Sequence, residues 1–402
     1  MPADSYDTII VGAGIVGLAV AREVLARRPS DSVLVVEREA RTAAHQTGHN
    51  SGVIHAGVYY APGSLKARLC VDGAARMYDY CERHGIDAQR IGKLIIATGE
   101  HELPALDELG RRAHSNGVPG VRRLDAAGLR AIEPHATGVA ALHVPSTGIV
   151  DFGAVCARLA DDVRGAGGEL RLAWDVADVS TTGRTIRLRS AGGDAVAGGR
   201  AVFCAGLWSD RLAARCGADP DPRIVPFRGG YLALAPERRG LVRGLVYPVP
   251  DPSLPFLGVH LTPRIDGEVL LGPSALLVGA RDAYTLRTVR AADVRDTLAW
   301  PGTWRMARRW WRTGYTELRL ATSREAFAAA VARYVPEVRA EDLLPAFGGV
   351  RAQAVARDGA LVDDFVLSAT PRAIHVRNAP SPAATSSLAL AERIADAADE
   401  LA

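Results

Sequence analysis

Three glycines at fixed spacing and one carboxylate carry the first chemistry legible in this chain. Gly12, Gly14 and Gly17 fall in the run Gly12-Ala13-Gly14-Ile15-Val16-Gly17, and Glu37 stands twenty residues beyond the last of them. Gly12 allows a tight turn, Gly14 lets backbone N–H groups approach a pyrophosphate, and Gly17 lets a helix lie close on a sheet. A carboxylate at Glu37 can accept both hydroxyls of a ribose and would repel a 2′-phosphate. The pattern specifies a dinucleotide, and by itself does not choose between NAD and FAD. The elements needed to hold these groups occur in order: YDTIIV (Tyr6 to Val11) reads as a buried parallel strand, LAVAREVLA as a helix, and SVLVV (Ser32 to Val36) as the second strand.

Composition narrows the class. The chain has 402 residues, 48% hydrophobic and 23% charged, enough for a large core in two domains or in one domain with a big insertion. With 48 Lys+Arg against 45 Asp+Glu the net charge is only +3, which leaves no electrostatic footprint for nucleic acid as a partner. Lys66 and Lys93 are the only lysines, and the arginine and alanine excess reads as coding bias. Cys70, Cys81, Cys156, Cys204 and Cys216 are odd in number and form no CxxC pair, so free thiols are expected and no metal site. The longest uncharged stretches, such as Thr8 to Ala21, reach 14 residues, short of the ~20 a spanning helix needs. Apolar sequence begins at residue 8, too early for a basic leader and cleavage site. The expected location is cytoplasmic, with peripheral attachment to the inner membrane face as the alternative.

A second βαβ-like region runs from Asp151 to Trp208: a helix from Phe152 to Arg164, a strand from Glu169 to Ala173, a polar hairpin near Thr181 to Arg184, and the strand leading into Cys204-Ala205-Gly206. Between Gly92 and Pro145, and again from Ile224 to about Leu344, short β runs punctuated by Pro and Gly take over: GKLIIAT, RGGYLAL, GLVYPV, FLGVHLT and EVLLGP. The expected class is α/β with α+β insertions. A Rossmann-like domain takes residues 1–91, 146–223 and 345–402, and a second, largely antiparallel β-sheet domain takes residues 92–145 and 224–344.

Five segments carry a more specific resemblance: HQTGHNSGVIHAGVYYAPGSLKA (His45 to Ala67), PFRGGY (Pro226 to Tyr231), YPVPDPSLPFLGVHLTPRIDG (Tyr247 to Gly267), GVRAQAVARDGALVDDF (Gly349 to Phe365) and NAPSPAATSSLA (Asn378 to Ala389). Through them the chain resembles the L-2-hydroxyglutarate oxidase/dehydrogenase family of the D-amino-acid oxidase superfamily. The resemblance implies a noncovalently bound FAD in the Rossmann-like domain and a substrate domain over it. It also implies oxidation of an L-2-hydroxy acid, foremost L-2-hydroxyglutarate to 2-oxoglutarate, by hydride transfer to flavin N5, with oxygen or a quinone as acceptor. The implied cofactor contacts are Gly12, Gly14, Ile15, Gly17, Glu37, Arg38, Thr47, Asn50, Ser51, Val176, Ala205, Gly206, Gly349, Val350, Ser381, Ala383, Ala384 and Thr385. A helix from Leu388 to Leu401, entered through prolines and small residues, would aim unpaired N–H groups at the flavin.

By the same resemblance His55 sits against the flavin ring, and the strand holding His260 borders the reacting centre. An imidazole of pKa near ~6.5 suits removal of a hydroxyl proton, so either histidine could be the base. Guanidinium and ammonium groups suit a dicarboxylate, which makes Arg351, Arg228, Lys66 and Arg281 candidate substrate contacts, with Tyr60 and Tyr284 beside them. The family pattern is broken at Gly230 (FRGGY for FRGEY), Ser274 (GPSA for GPNA) and Ala280 (GARDAY for FKREGY), which leads us to expect a wider pocket. The alternative is therefore the same flavin chemistry on a different hydroxy acid, or on an amine intermediate of a specialised pathway. A flavin-binding sensor without turnover would lack His55, His260 and Arg351, and all three are present. Last, Trp304 to Arg312 lies in a short helix from a Thr303 cap to Gly314. It reads either as a peripheral membrane contact or as a helix packed on the substrate sheet with its arginines solvated.

Overall fold

A computed structural model describes residues 4–251, 254 and 257–401. One sheet grows from the strand Asp4–Val11, whose last four residues are fully buried. Its order is Val176–Thr182, Thr185–Ser190, Ala195–Phe203, Asp4–Val11, Val33–Val36, Glu169–Arg171; Ala373–Asn378 also pairs with Ala195–Phe203, and Val366–Thr370 lies beyond it. The inner pairs are parallel, with Thr8 opposite Val33 on one side and Arg200 on the other. Strand alternation divides the side chains. Ile10, Val33, Val35, Val202 and Ile374 pack on the helices Ile15–Arg27, Leu65–Arg83, Phe152–Gly165 and Ala383–Asp399. Ile9, Leu34, Val36 and Phe203 join Trp174, Leu212 and the apolar side of the 176–190 hairpin. Burial on both faces is why these strands read as unbroken apolar runs.

The second sheet runs in the order Leu276–Leu277, Arg223–Leu234, Val269–Gly272, His260–Pro263, Leu245–Pro248, Lys93–Ala97, Ala140–Val144, Arg122–Asp125, and Leu343–Val355 also pairs with Arg223–Leu234. It is antiparallel except where Leu245–Pro248 runs parallel to Lys93–Ala97, so it is a mixed sheet. A small third sheet joins Val53–Ile54, Gly148–Val150 and Ala88–Gln89.

Three elements differ from their sequence reading. The strand expected over FLGVHLT begins only at His260, and Pro252, Ser253, Pro255 and Phe256 of its motif lie outside the described residues. The C-terminal helix starts at Ala383 rather than Leu388, because the small residues after Pro382 continue the helix inward. The tryptophan-rich helix spans Pro301–Thr322. Pro301, which needs no N–H partner, opens it, so Thr303 is a buried first-turn residue and not a cap. Gly314 lies inside this helix, which ends against Ser323 and departs from helical geometry at Trp310. Met306 packs with Trp300, Val225 and Val355, whereas Trp304, Trp311 and Tyr315 are 59%, 64% and 70% exposed. No helix among the described residues is long and apolar enough to cross a membrane.

A buried ion pair ties the two halves of the fold. Arg281, on the loop after Leu276–Leu277, donates to both carboxylate oxygens of Asp210 and to the carbonyl of Leu207, while Asp210 also accepts the Ile224 N–H at 3.0 Å. Replacing one partner strands the other charge in the interior. We expect Arg281→Met to cost about 3–5 kcal/mol in denaturant unfolding with bound flavin retained; a loss below ~1 kcal/mol would show the pair to be incidental.

Candidate active site

A cavity of about 950 Å³ runs between the two sheets. At its nucleotide end Gly12 has φ +108°, and a Cβ there would lie 2.5 Å from the Cys204 carbonyl oxygen. A Cβ on Gly17 would lie 1.9 Å from the Gly12 oxygen, so only glycine lets the helix Ile15–Arg27 approach this closely. That helix starts at Gly14 with no side-chain cap, and Thr47 Oγ1 accepts the Ile15 N–H at 3.2 Å. Glu37 is buried and accepts the N–H groups of Ala13 (2.8 Å) and Glu39 (3.0 Å), which fixes its carboxylate at the cavity edge. Arg38 lies over the Trp208 ring at 4.0 Å.

The middle wall is a loop pressed onto a strand. Asn50 donates to the Thr47 carbonyl at 2.6 Å and accepts the Gly52 N–H at 2.8 Å, so its side chain shapes the loop. Gly349 meets this loop so closely that a Cβ would lie 2.1 Å from the His49 oxygen. Opposite, Thr385 Oγ1 accepts the His55 N–H at 3.1 Å and thereby docks the start of the helix Ala383–Asp399 beside His55. Two helix starts whose N-cap residues, Gly14 and Pro382, supply no side-chain cap, an acid fixed at the cavity edge and glycines at each close approach suit an FAD. All the candidate cofactor residues named from the sequence line this cavity.

Its far end is lined by His55, Tyr59, Tyr60, Lys66, Tyr231, Tyr247, His260 and Arg351. His260 Nδ1 lies 2.9 Å from the Gly258 carbonyl, which can only accept. Nδ1 therefore carries the hydrogen, and Nε2 keeps a free lone pair. His55 has no such assignment: its Nδ1 is buried without a partner, and Nε2 is 3.5 Å from Ser381 Oγ. Burial, then the Lys93 and Arg351 charges, push the His260 imidazolium down to about 3; burial, Lys93, His260 and Lys66 hold His55 well below its ordinary value. Both imidazoles are thus neutral at pH 7. Burial raises the phenols of Tyr59 and Tyr60, which stay protonated donors.

Three residues expected at the substrate are elsewhere. Arg228 sits on a strand whose neighbours Gly229 and Tyr231 line the cavity, so alternation turns it to the opposite face, where Nε donates to the Tyr284 carbonyl at 3.0 Å. Tyr284 is not in the cavity either: its hydroxyl bonds His45 Nδ1 at 2.6 Å and its ring stacks on His49 at 4.2 Å, bracing the cofactor loop from behind. Arg281 is consumed by the Asp210 clamp. Gly230, Ser274 and Ala280 also stand outside the lining, with Ser274 Oγ accepting the Gly230 N–H at 3.1 Å, so the departures from the family pattern do not widen this cavity.

Sequence reasoning passed over Lys93. It is 2% exposed, lies over the rings of Tyr247 (4.2 Å) and Tyr59 (5.1 Å), and forms no ion pair among the described residues. The same Tyr247 ring stacks on His260 at 3.9 Å, so Lys93 stands just behind the wall. The available signal was scarcity: a second lysine in a chain that otherwise uses arginine. Among the described residues no group of three His, Cys, Asp or Glu is gathered to hold a metal.

A parallel nucleotide sheet, a mixed sheet over it, and a cavity with a fixed-tautomer histidine at its far end define a two-domain, dinucleotide-dependent oxidoreductase. Residues 7–397 match the family model described as FAD dependent oxidoreductase. The chain is 45% identical to an L-2-hydroxyglutarate dehydrogenase, mitochondrial, of Nematostella vectensis, covering 99% of this chain and 91% of that one, and 45% identical to the Homo sapiens protein of the same name (98% and 88%). Among solved structures it is similar to an FAD-bound L-alpha-glycerophosphate oxidase from Mycoplasma pneumoniae (22% identity, TM-score 0.79, 99% and 94% covered). A glycine oxidase from Geobacillus kaustophilus is also similar (22%, 0.71, 99% and 95%). The chain belongs to the FAD-dependent oxidoreductase family and is closely related to the L-2-hydroxyglutarate dehydrogenases.

Burial lowers the Lys93 ammonium from 10.5 to about 7. Between those values the unfolded chain binds the proton that the folded chain has released, so the cost of burying the charge is full below pH 7 and fades as pH rises. Lys93→Met is expected to stabilise the protein by about 1–3 kcal/mol at pH 6 and by little at pH 10, read by thermal melts across that range. A gap that widens with pH contradicts the assignment.

Proposed function

We propose that this protein oxidises L-2-hydroxyglutarate to 2-oxoglutarate in an FAD-dependent reaction. The observation that carries the reading is the far end of the cavity, where Lys66 and Arg351 face the same space as His260 Nε2. FAD held in the cavity supplies the two-electron acceptor for the Cα hydrogen. Lys66 and Arg351 take the two carboxylates, which are recognised in a space shielded from water. His260 Nε2 accepts the hydroxyl proton. The substrate's negative charge raises the depressed imidazole toward the range in which a base works well at neutral pH. Tyr59 and Tyr60, kept as phenols, donate hydrogen bonds to the developing carbonyl or the carboxylates. The names of two close relatives support the substrate, and Gly230, Ser274 and Ala280, which stand outside the cavity, favour it over a different hydroxy acid or an amine.

We also infer a quinone acceptor reached at an anionic membrane surface, with the protein cytoplasmic and peripherally attached. Trp304, Trp311, Tyr315 and Leu318 are exposed at spacings that place them along one side of the helix Pro301–Thr322, and Arg305, Arg308, Arg309 and Arg312 flank them.

Anaerobic L-2-hydroxyglutarate should bleach the yellow holoprotein, the D enantiomer should not, and His260→Gln should slow bleaching by about 10²–10⁴-fold with FAD content intact. Bleaching by a 2-amino acid alone would replace this substrate with the amine alternative. For the membrane reading, the Trp304→Ala/Trp311→Ala protein should lose co-sedimentation with anionic vesicles while keeping the parent rate of anaerobic flavin reduction; a parent protein that ignores such vesicles removes the surface contact.

A further inference from the structure

The cavity's cations are not equally committed. Lys66 stands in the first turn of the helix Leu65–Arg83, capped by Ser64, and its side chain is only 9% exposed. Its Nζ donates to Asp363 Oδ1 at 2.8 Å and to the Asp363 backbone oxygen at 2.9 Å, and lies 5.0 Å from the centre of the Tyr60 ring. The Asp363 side chain is 91% exposed, and Lys66 is its one ion-pair partner among the described residues. The pair is therefore lopsided: a buried ammonium held by a carboxylate that stands almost wholly in water. Both residues line the cavity, together with His55 and Ser381.

We propose that Asp363 is a resident counter-ion which a substrate's distal carboxylate displaces from Lys66, and that this exchange sets the preference for a dicarboxylate over a monocarboxylate. The inference rests on the dicarboxylate reading above and names the device that would enforce it. A buried ammonium without an anion is costly, and Asp363 removes that cost in the ligand-free protein. Its carboxylate is easily given back to water, because the Asp363 side chain is already 91% exposed and keeps most of its hydration in the pair. The backbone oxygen of Asp363 remains on Nζ throughout and keeps the ammonium aimed at the cavity. A second carboxylate entering from the cavity is desolvated there and outcompetes Asp363. A monocarboxylate spends its single charge on Arg351 and leaves the Lys66–Asp363 pair closed, so it gains nothing at this position.

Glutarate and pentanoate share a five-carbon chain and differ in one carboxylate, and neither can be oxidised as a 2-hydroxy acid. Titrated into the oxidised holoprotein and followed by the flavin visible spectrum, glutarate should bind more tightly. Asp363→Asn removes an exposed charge with little change in packing. It should tighten glutarate about two- to fivefold and leave pentanoate within about twofold. Lys66→Met should weaken glutarate by at least about thirtyfold and erase the preference. The proposal is overturned if the parent does not discriminate, if Asp363→Asn weakens glutarate or tightens both ligands alike, or if Lys66→Met keeps the preference. Because these ligands are not turned over, the proposal stands or falls independently of whether L-2-hydroxyglutarate bleaches the flavin.

Discussion

The structure depends on positive charge kept away from water. Lys66 and Arg351 line the far end of one cavity, Lys93 stands behind its wall, and burial works against the charge of Lys93 and Arg351. In a low-dielectric site such charges act strongly on whatever lies beside them. Burial first, and then these charges, hold His55 and His260 neutral; burial alone keeps the Tyr59 and Tyr60 hydroxyls as donors, and the cations make an anion the natural occupant. The protein tolerates the arrangement through aromatic faces over Lys93 and an exposed acid on Lys66.

Two sheets must meet closely for those charges to face a flavin. Glycine permits the close backbone contacts on both sides: Gly12 against Cys204 and Gly17 against Gly12 within the nucleotide sheet and its helix, and Gly349, on the second sheet, against the loop that holds Thr47 and Asn50. The strand Leu343–Val355 carries Gly349 and Arg351 two residues apart, so one stretch of backbone touches the loop of Thr47 and Asn50 and brings a guanidinium into the cavity lining. Tyr284 and Arg228 brace the same junction from the side facing away from the cavity. The Arg281–Asp210 pair locks the loop beyond them.

The nucleotide half was legible because its signals are local: a strand, a glycine turn and an acid at fixed spacing. The motif segments likewise led to candidate cofactor residues that line one cavity. Substrate contacts were harder, since the sequence names a strand without saying which face a residue takes. Arg228 shows this well, standing next to the cavity-lining Gly229 yet pointing away. Arg281 and Tyr284 failed for a different reason: each is satisfied by a partner more than seventy residues or two hundred residues distant, Leu207 and Asp210 in one case and His45 in the other. Lys93 was invisible to motif reasoning because its role comes from the rings of Tyr59 and Tyr247, which only the fold brings over it. Helix ends were misplaced where proline sets the start, at Pro301 and Pro382.

The central claim is that a cationic cavity beside the flavin reads a dianion. Its most direct test is anaerobic rapid mixing of the holoprotein with two L-2-hydroxy acids of equal chain length, the proposed dicarboxylate and 2-hydroxypentanoate. Flavin reduction should saturate with the dicarboxylate at a concentration at least about thirtyfold lower, since a desolvated charge pair is at stake. Equal half-saturation by the two acids would contradict the account, whatever their limiting rates.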